Sequence, residues 1–257
     1  MIRWLEELPQ QEDFWSELEK ACPAEAAMIW AEQAVLGYGN AGLWMQEGEN
    51  GPEGILLRNT MGGVTAALLP TADARELSQF LQVAGFASIT LPNGWAERLN
   101  LPNTTQQEYL LMEWCEKLAA LPYGYFPKEI TPRRLMENTL AAFGPVVGEA
   151  DQQEWEWAFG LRIRRGKALA MGLFQREELL AAAAVSHIGR TGALIGFVGT
   201  PPEKRGNGYG KTLASLMAAQ IAEKGQKAML CCRPQLEELY RTVGFAVVGR
   251  QTVLQAI

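Results

Sequence analysis

The stretch Val198-Gly199-Thr200-Pro201-Pro202-Glu203-Lys204-Arg205-Gly206-Asn207-Gly208-Tyr209-Gly210-Lys211 decides how this chain is read. An apolar run, GALIGFVGT at 192–200, enters a glycine-rich turn, and an amphipathic segment, GYGKTLASLMAAQIAEKG at 208–225, leaves it. The first amides of a helix have no partner inside it, and the helix dipole adds positive potential there. Glycines let the backbone close around phosphate oxygens, so strand, turn and helix together make an anion cradle. Lys204, Arg205 and Lys211 add charge. Pro201 and Pro202 have no N–H to extend a ladder, so the next strand is expected to splay away. A splay leaves backbone groups free to pair with an extended ligand.

Two familiar phosphate loops do not fit. A Walker A loop needs Gly, four residues, then Gly-Lys-Ser/Thr. Gly210-Lys211-Thr212 has its earlier glycine at 206, and Arg205 stands where the glycine is required. A dinucleotide fingerprint needs Gly-x-Gly-x-x-Gly, which Gly206, Gly208 and Gly210 do not supply.

Outward from the loop, Leu213, Leu216, Met217 and Ile221 give the segment a helical stripe, and Gly225 ends it. KAMLCC (227–232) reads as a buried strand, LEELYRTVG (236–244) as a short helix and FAVVGRQTVLQ (245–255) as a closing strand. Upstream, 130–143 and 153–165 read as helices, and 167–176, 178–189 and 192–200 as strands separated by polar or glycine turns. The pattern predicts an α/β (α+β) fold with a mixed, mostly antiparallel central sheet flanked by helices.

Arg205-Gly206-Asn207-Gly208-Tyr209-Gly210 resembles the pyrophosphate loop of the GNAT superfamily of acyl-CoA N-acyltransferases, Gln/Arg-x-x-Gly-x-Gly/Ala. Leu239-Tyr240-Arg241-Thr242-Val243-Gly244-Phe245 resembles its second signature, a short helix with Tyr ending at Gly-Phe, and 229–240 looks like the arylalkylamine-transferase branch. The resemblance covers residues 126–257 and implies an acetyltransferase domain using acetyl-CoA, with no metal. It implies that the backbone of Arg205, Gly206, Asn207, Gly208, Tyr209, Gly210 and Lys211 holds the pyrophosphate. Val198, Gly199 and Thr200 would pair with the pantetheine arm, and Tyr240 would act as general acid at the sulfur. A phenol of ordinary pKa near ~10 is protonated at neutral pH and can donate.

The family's usual base position is empty here, since Ile195, Gly196 and Phe197 occupy it. His187, the single histidine, lies on the neighbouring strand and is the candidate base, weighed against a structural role. Arg233 replaces the family's frequent Asn. Trp155, Trp157 and Phe159 form either an acceptor wall or core packing.

The first half is different. Residues 1–35 read as helix, 42–46, 54–58 and 63–70 as strands, 71–85 as helix and 86–92 as strand, with 108–118 open between strand and helix. FLQVAGFASIT (80–90) echoes LYRTVGFAVVG (239–249), aligning Gly85 with Gly244, Phe86 with Phe245 and Leu81 with Tyr240. The echo suggests two such halves in tandem, 1–125 degenerate, without a glycine-rich loop and non-catalytic, and 126–257 catalytic. The boundary is placed in the proline-rich stretch 121–132.

Charge is uneven. Residues 1–125 carry 6 basic and 17 acidic side chains, a balance of −11; residues 126–257 carry 17 and 12, a balance of +5. The acidic half argues against nucleic acid. It favours a small cationic amine as acceptor. No apolar run reaches the ~18 residues a membrane helix needs. The four cysteines match no zinc or redox spacing and are read as reduced. A cytoplasmic N-acetyltransferase is the expectation, with a non-catalytic acyl-CoA sensor on the same fold as the alternative. A homo-oligomer is left open.

Overall fold

The computed structural model describes residues 1–39, 41–115, 124–145 and 148–257, with only the backbone of 149 and 150. The first half runs β1 (Ile2–Leu5), α1 (Glu12–Ala21), α2 (Pro23–Glu32), β2 (Gly42–Gly48), β3 (Gly51–Arg58), β4 (Gly63–Leu68), α3 (Ala74–Ala84), β5 (Ser88–Pro92) and β6 (Thr104–Trp114). The second repeats that order: β7 (Tyr125–Glu129), α4 (Pro132–Phe143), α5 (Glu149–Arg164), β8 (Leu169–Gln175), β9 (Glu178–Ile188), β10 (Gly192–Gly199), α6 (Tyr209–Glu223), β11 (Lys227–Cys232) and β12 (Phe245–Ala256). Among the described residues, the α-helix that the second half adds is α7 (Glu237–Arg241), before β12.

Among the described residues, twelve strands form one sheet in the order β1-β2-β3-β4-β5-β12-β6-β11-β10-β9-β8-β7. Read from either edge, five strands of one half are followed by the last strand of the other. β6 and β12 are thus exchanged between the halves and pair with each other from Phe245↔Trp114 to Ala256↔Thr104. The parallel pairs are β4–β5 and β10–β11, one per half. The expected mixed, mostly antiparallel sheet with two tandem halves is the observed one.

α3 and α6 cover one face. Leu213, Ala214, Met217, Ala218 and Ile221 of α6 pack on Leu110, Ile195 and Leu230; the expected Leu216 is only partly buried, and the two alanines take its place. Leu77 and Leu81 of α3 pack likewise on Val64, Leu68 and Ile89. α1, α2, α4 and α5 lie on the other face. There α2 is clamped by both halves: Ala26 and Ile29 meet the β2–β4 core, while Ala24 and Ala27 rest on Leu111, Leu194 and Met229. The approach is close enough that a Cβ on Gly189, in the β9–β10 turn, would lie 2.7 Å from Ala27 Cα. The alanine-rich sequence PAEAAMIWAE suits a helix with no solvent side to spare.

Several expectations change. Residues 1–35 are not one helix: Ile2–Leu5 pair with β2 as an edge strand, and Pro23 starts a new helix because it cannot bond back into α1. The ambiguous 108–118 segment is strand to Trp114, and 116–118 lie outside the described residues. The boundary expected between 125 and 126 falls at the first residue of β7, with 121–123 also outside the described residues. The echo is out of register. Gly85 closes α3 before the strand parallel to β4, so its counterpart is Gly225 after α6, not Gly244. Leu81 is accordingly a core residue of α3 and no counterpart of Tyr240, which stands between β11 and β12.

Candidate functional site

The β10–β11 ladder holds from Gly192↔Lys227 to Ile195↔Leu230 and then stops, although both strands continue. The divergence begins at a bulge in β10, where Phe197 takes φ 54°. A non-glycine residue in the left-handed region is strained and persists only where its surroundings hold it. Here the ring is held by Trp155 and Phe159, at 5.1 and 6.3 Å between centroids.

The splay opens onto a cleft of about 500 Å³. Val198, Thr200 and Phe143 line one side, the loop and first turn of α6 close the end, and Leu236, Leu239 and Tyr240 form the opposite wall. Gly206 (φ 85°) and Gly208 (φ 75°) turn the loop through the left-handed region, and Gly208 is the N-cap of α6 without a side-chain cap. The first helical bond is Thr212 N–H to the Gly208 carbonyl at 3.0 Å, so the amides of 206–211 have no partner among the described residues. Gly210 is needed for space: a Cβ there would lie 3.1 Å from Thr200 Oγ1 and 3.4 Å from Val198 Cγ1.

The basic residues divide their work. Lys204 turns away, donating to the Leu179 carbonyl at 2.7 Å and pairing with Glu178 at 2.8 Å. Arg205 buttresses the loop through the Thr200 and Ala142 carbonyls, at 3.2 and 2.5 Å, and its own amide donates to Pro202. Asn207 donates to the Lys204 and Arg205 carbonyls. Lys211 stays on the cleft, reaching Thr242 Oγ1 at 3.3 Å. Gly199 faces α4 instead, its carbonyl taken by Asn138 at 3.1 Å. Tyr209 lines the cleft, its hydroxyl 3.5 Å from that of Tyr125.

Tyr240 is buried, its ring edge-on to Phe245 at 5.9 Å, and its hydroxyl has no hydrogen-bond partner among the described residues. Burial pushes its pKa up to about 12, so it keeps its proton at neutral pH. His187 is elsewhere. It does not line the cleft, but sits in a buried cluster with Arg162 of α5 and Glu32 of α2. Arg162 Nη1 donates to Glu32 at 2.6 Å and lies 2.7 Å from His187 Nε2. The same Nε2 lies 3.2 Å from Glu32 Oε1, and Nδ1 lies 3.0 Å from Ser186 Oγ, so both ring nitrogens are engaged within the cluster. Burial is the main cause holding the His187 pKa below its ordinary value. Trp155 and Phe159 are core residues, stacked at 5.0 Å, while Trp157 is half-exposed against Tyr38 of the other half. The sequence reading missed Phe143, Leu236 and Leu239 as cleft walls; nothing but apolar character marked them.

The first half keeps the splay but not the cradle. β4 and β5 pair over Gly63–Thr65 and then part. The N-terminus of α3 is filled by the chain's own anion, since the Asp73 carboxylate accepts from the amides of Arg75 and Glu76. The space beyond is closed by Trp95, buried against Leu68, Ala72 and Leu77. Arg98 stacks over the Trp95 ring at 3.7 Å and donates to the Pro70 and Ala72 carbonyls, both at 3.3 Å.

Among the described residues no group of three or more His, Cys, Asp or Glu is placed to hold a metal, and no helix is long and apolar enough to cross a membrane.

Comparison with known proteins agrees with this architecture. Residues 170–253 match the family model described as FR47-like protein. Curated proteins give no match. Among solved structures, a GNAT-family acetyltransferase from Colwellia psychrerythraea is 16% identical, with TM-score 0.55 and full coverage of both chains. A GCN5-related N-acetyltransferase from Kribbella flavida is 17% identical, with TM-score 0.62, over 90% of this chain and 95% of its own. A tandem GNAT protein from the clavulanic acid biosynthesis pathway is 15% identical, with TM-score 0.57, over 100% of this chain and 98% of its own. The fold is that of the GNAT acetyltransferases, in its tandem form.

Proposed function

We propose that this chain, built on the tandem GNAT fold, is an N-acetyltransferase that moves an acetyl group from acetyl-CoA to the primary amine of a small acceptor, using the second half only. One observation carries the reading. An uncapped helix N-terminus with no acidic residue in its first turn opens, through a glycine loop, onto a cleft whose far wall presents a protonated Tyr240 hydroxyl.

The residues fit coenzyme A. The free amides of 206–211 and Lys211 suit a pyrophosphate. Val198 and Thr200, past the end of the ladder, suit the amide-bearing arm, and Phe143, Leu236 and Leu239 its apolar parts. Acetyl-CoA brings the thioester; the acceptor nitrogen attacks its carbonyl carbon, the C–S bond breaks and the sulfur leaves with a proton. Tyr240 holds that proton, and the proton that the nitrogen sheds as the amide forms restores the phenol by way of solvent in the cleft. Fixed geometry and oriented backbone dipoles would supply most of the rate. The acidic first half favours a cationic acceptor, whose ammonium must lose a proton before attack.

His187, fixed by Arg162, is no free base for that step. This observation favours a second reading, an acyl-CoA-binding module without turnover.

The test is calorimetric titration with acetyl-CoA. One site per chain is expected, lost in Gly210→Val, followed by a screen of cationic and neutral amines. Two sites would refute the silence of the first half. No binding would remove the acyl-CoA reading.

A further inference from the structure

A second hollow, of about 680 Å³, lies between the halves and shares no lining residue with the cleft. Its walls come from both: the α1–α2 junction, Pro92 and Asn93 at the end of β5, Thr191 and Lys227 from the second half, and the β12 bulge at Val248. It thus sits at the end of the first half's parallel pair, on the face carrying α1 and α2. On the α3 face the same half is closed by Trp95 and Arg98.

Three acidic side chains, Glu19, Glu25 and Glu113, and three basic ones, Lys20, Lys227 and Arg250, line it, but each basic one is paired with an acid other than Glu25. Lys20 is paired with Glu17 at 2.9 Å, Lys227 with Glu113 at 3.7 Å and Arg250 with Glu108 at 3.1 Å. Glu25 and Glu19 also line the hollow, and neither has a cationic partner among the described residues. Glu25 is 2% exposed. Its carboxylate accepts from Gln251 Nε2 at 2.7 Å and from its own backbone amide, both neutral donors that supply no counter-charge. A carboxylate buried without a counter-ion is costly, and a cation supplied from outside removes that cost. Ala21, Cys22, Pro23, Pro92, Leu111 and Val248 give it apolar walls, and Ser16, Asn93 and Thr191 add uncharged polar ones.

We propose that this hollow is a binding site for a small amphiphilic ammonium ion, its charge on Glu25 and its apolar body against Leu111 and Val248. The site binds without reacting, because no acyl donor can reach it through the plugged first half. Since α2 is clamped between the halves, occupancy bears on the helix that joins them.

The groups facing Glu25 are Glu19 and Lys20 of α1, the Cys22 thiol, the Cys231 thiol and Lys227 of β11, Glu113 of β6 and Arg250 and Gln251 of β12. Burial of Glu25 raises its pKa to about 7, and burial of both thiols keeps them protonated in the range of interest. The native carboxyl therefore takes up its charge between pH 6 and 8, and affinity for a cation rises over that interval.

The experiment is calorimetric titration of the full chain, without coenzyme A, with 2-phenylethylammonium, and with 3-phenylpropionate and 2-phenylethanol as charge controls. Binding of the ammonium only, stronger at pH 8 than at pH 6, is expected. Glu25→Gln, which keeps shape and removes charge, should weaken it at least tenfold. Val248→Trp, which fills the hollow from a half-exposed rim position and keeps the charge, should do the same. Both variants should bind acetyl-CoA as the parent does, which separates this site from the cleft. Failure of the ammonium to bind, equal binding of the carboxylate, or binding untouched by both substitutions would each overturn the proposal.

Discussion

Tyr240 shows how much one residue's role depends on where its neighbours put it. In the sequence it is a tyrosine in a short amphipathic helix, read as the general acid ahead of a core-packing role. In the fold it is both: the ring packs on Phe245, and the hydroxyl is left without a partner at the cleft. A buried phenol held at about 12 cannot serve as a base near neutrality, but it can donate at any pH where the protein works. Tyr240→Phe should lower kcat by roughly 10²-fold, the lower end of general-acid effects. It should leave acetyl-CoA affinity unchanged by calorimetry. An unchanged kcat would remove Tyr240 from the chemistry; no turnover in the parent with any amine would favour the binding module.

At the scale of elements, α3 and α6 occupy equivalent places and differ at their first turn. α6 begins at an uncapped glycine, while α3 begins at Asp73, whose carboxylate occupies two of the amides an external phosphate would need. Asp73→Ala should cost about 1 kcal/mol of stability, as the loss of an N-cap does. It should create no second acetyl-CoA site, because Trp95 and Arg98 still close the space beyond. Chemical denaturation gives the first quantity and titration the second. A new site would show that Asp73 was the sole barrier.

At the scale of the whole molecule, exchanged strands and the clamped α2 make the halves one body, and a buried charge cluster ties them. Glu32 comes from the first half, and Arg162 and His187 from the second. Removing one member of a buried ion pair strands the other charge, at a cost of about 3–5 kcal/mol. Arg162→Met should therefore reduce unfolding free energy by about that amount. It should do so in one cooperative transition in urea, since both halves lose the same tie. A small change, or separate transitions of the two halves, would contradict the single-body description.

The glycine loop, the helix it opens and the class of fold were legible in the sequence, because residues 192–225 encode them through local rules: no N–H in proline, left-handed freedom in glycine, a helical stripe. The two-half organisation was visible too, but in the wrong register, because Gly-Phe-Ala recurs after helices that are not equivalent. What the sequence could not determine depends on residues far apart in the chain. Glu25 meets Gln251 across 226 positions and Glu32 meets Arg162 across 130, so neither pair leaves a local trace. Arg98 looks like any surface arginine until its turn comes back over Pro70 and Ala72. The exchange of β6 and β12 follows from the same cause. Strand order is set by which apolar faces can be buried together, a property of the assembled sheet rather than of any segment within it.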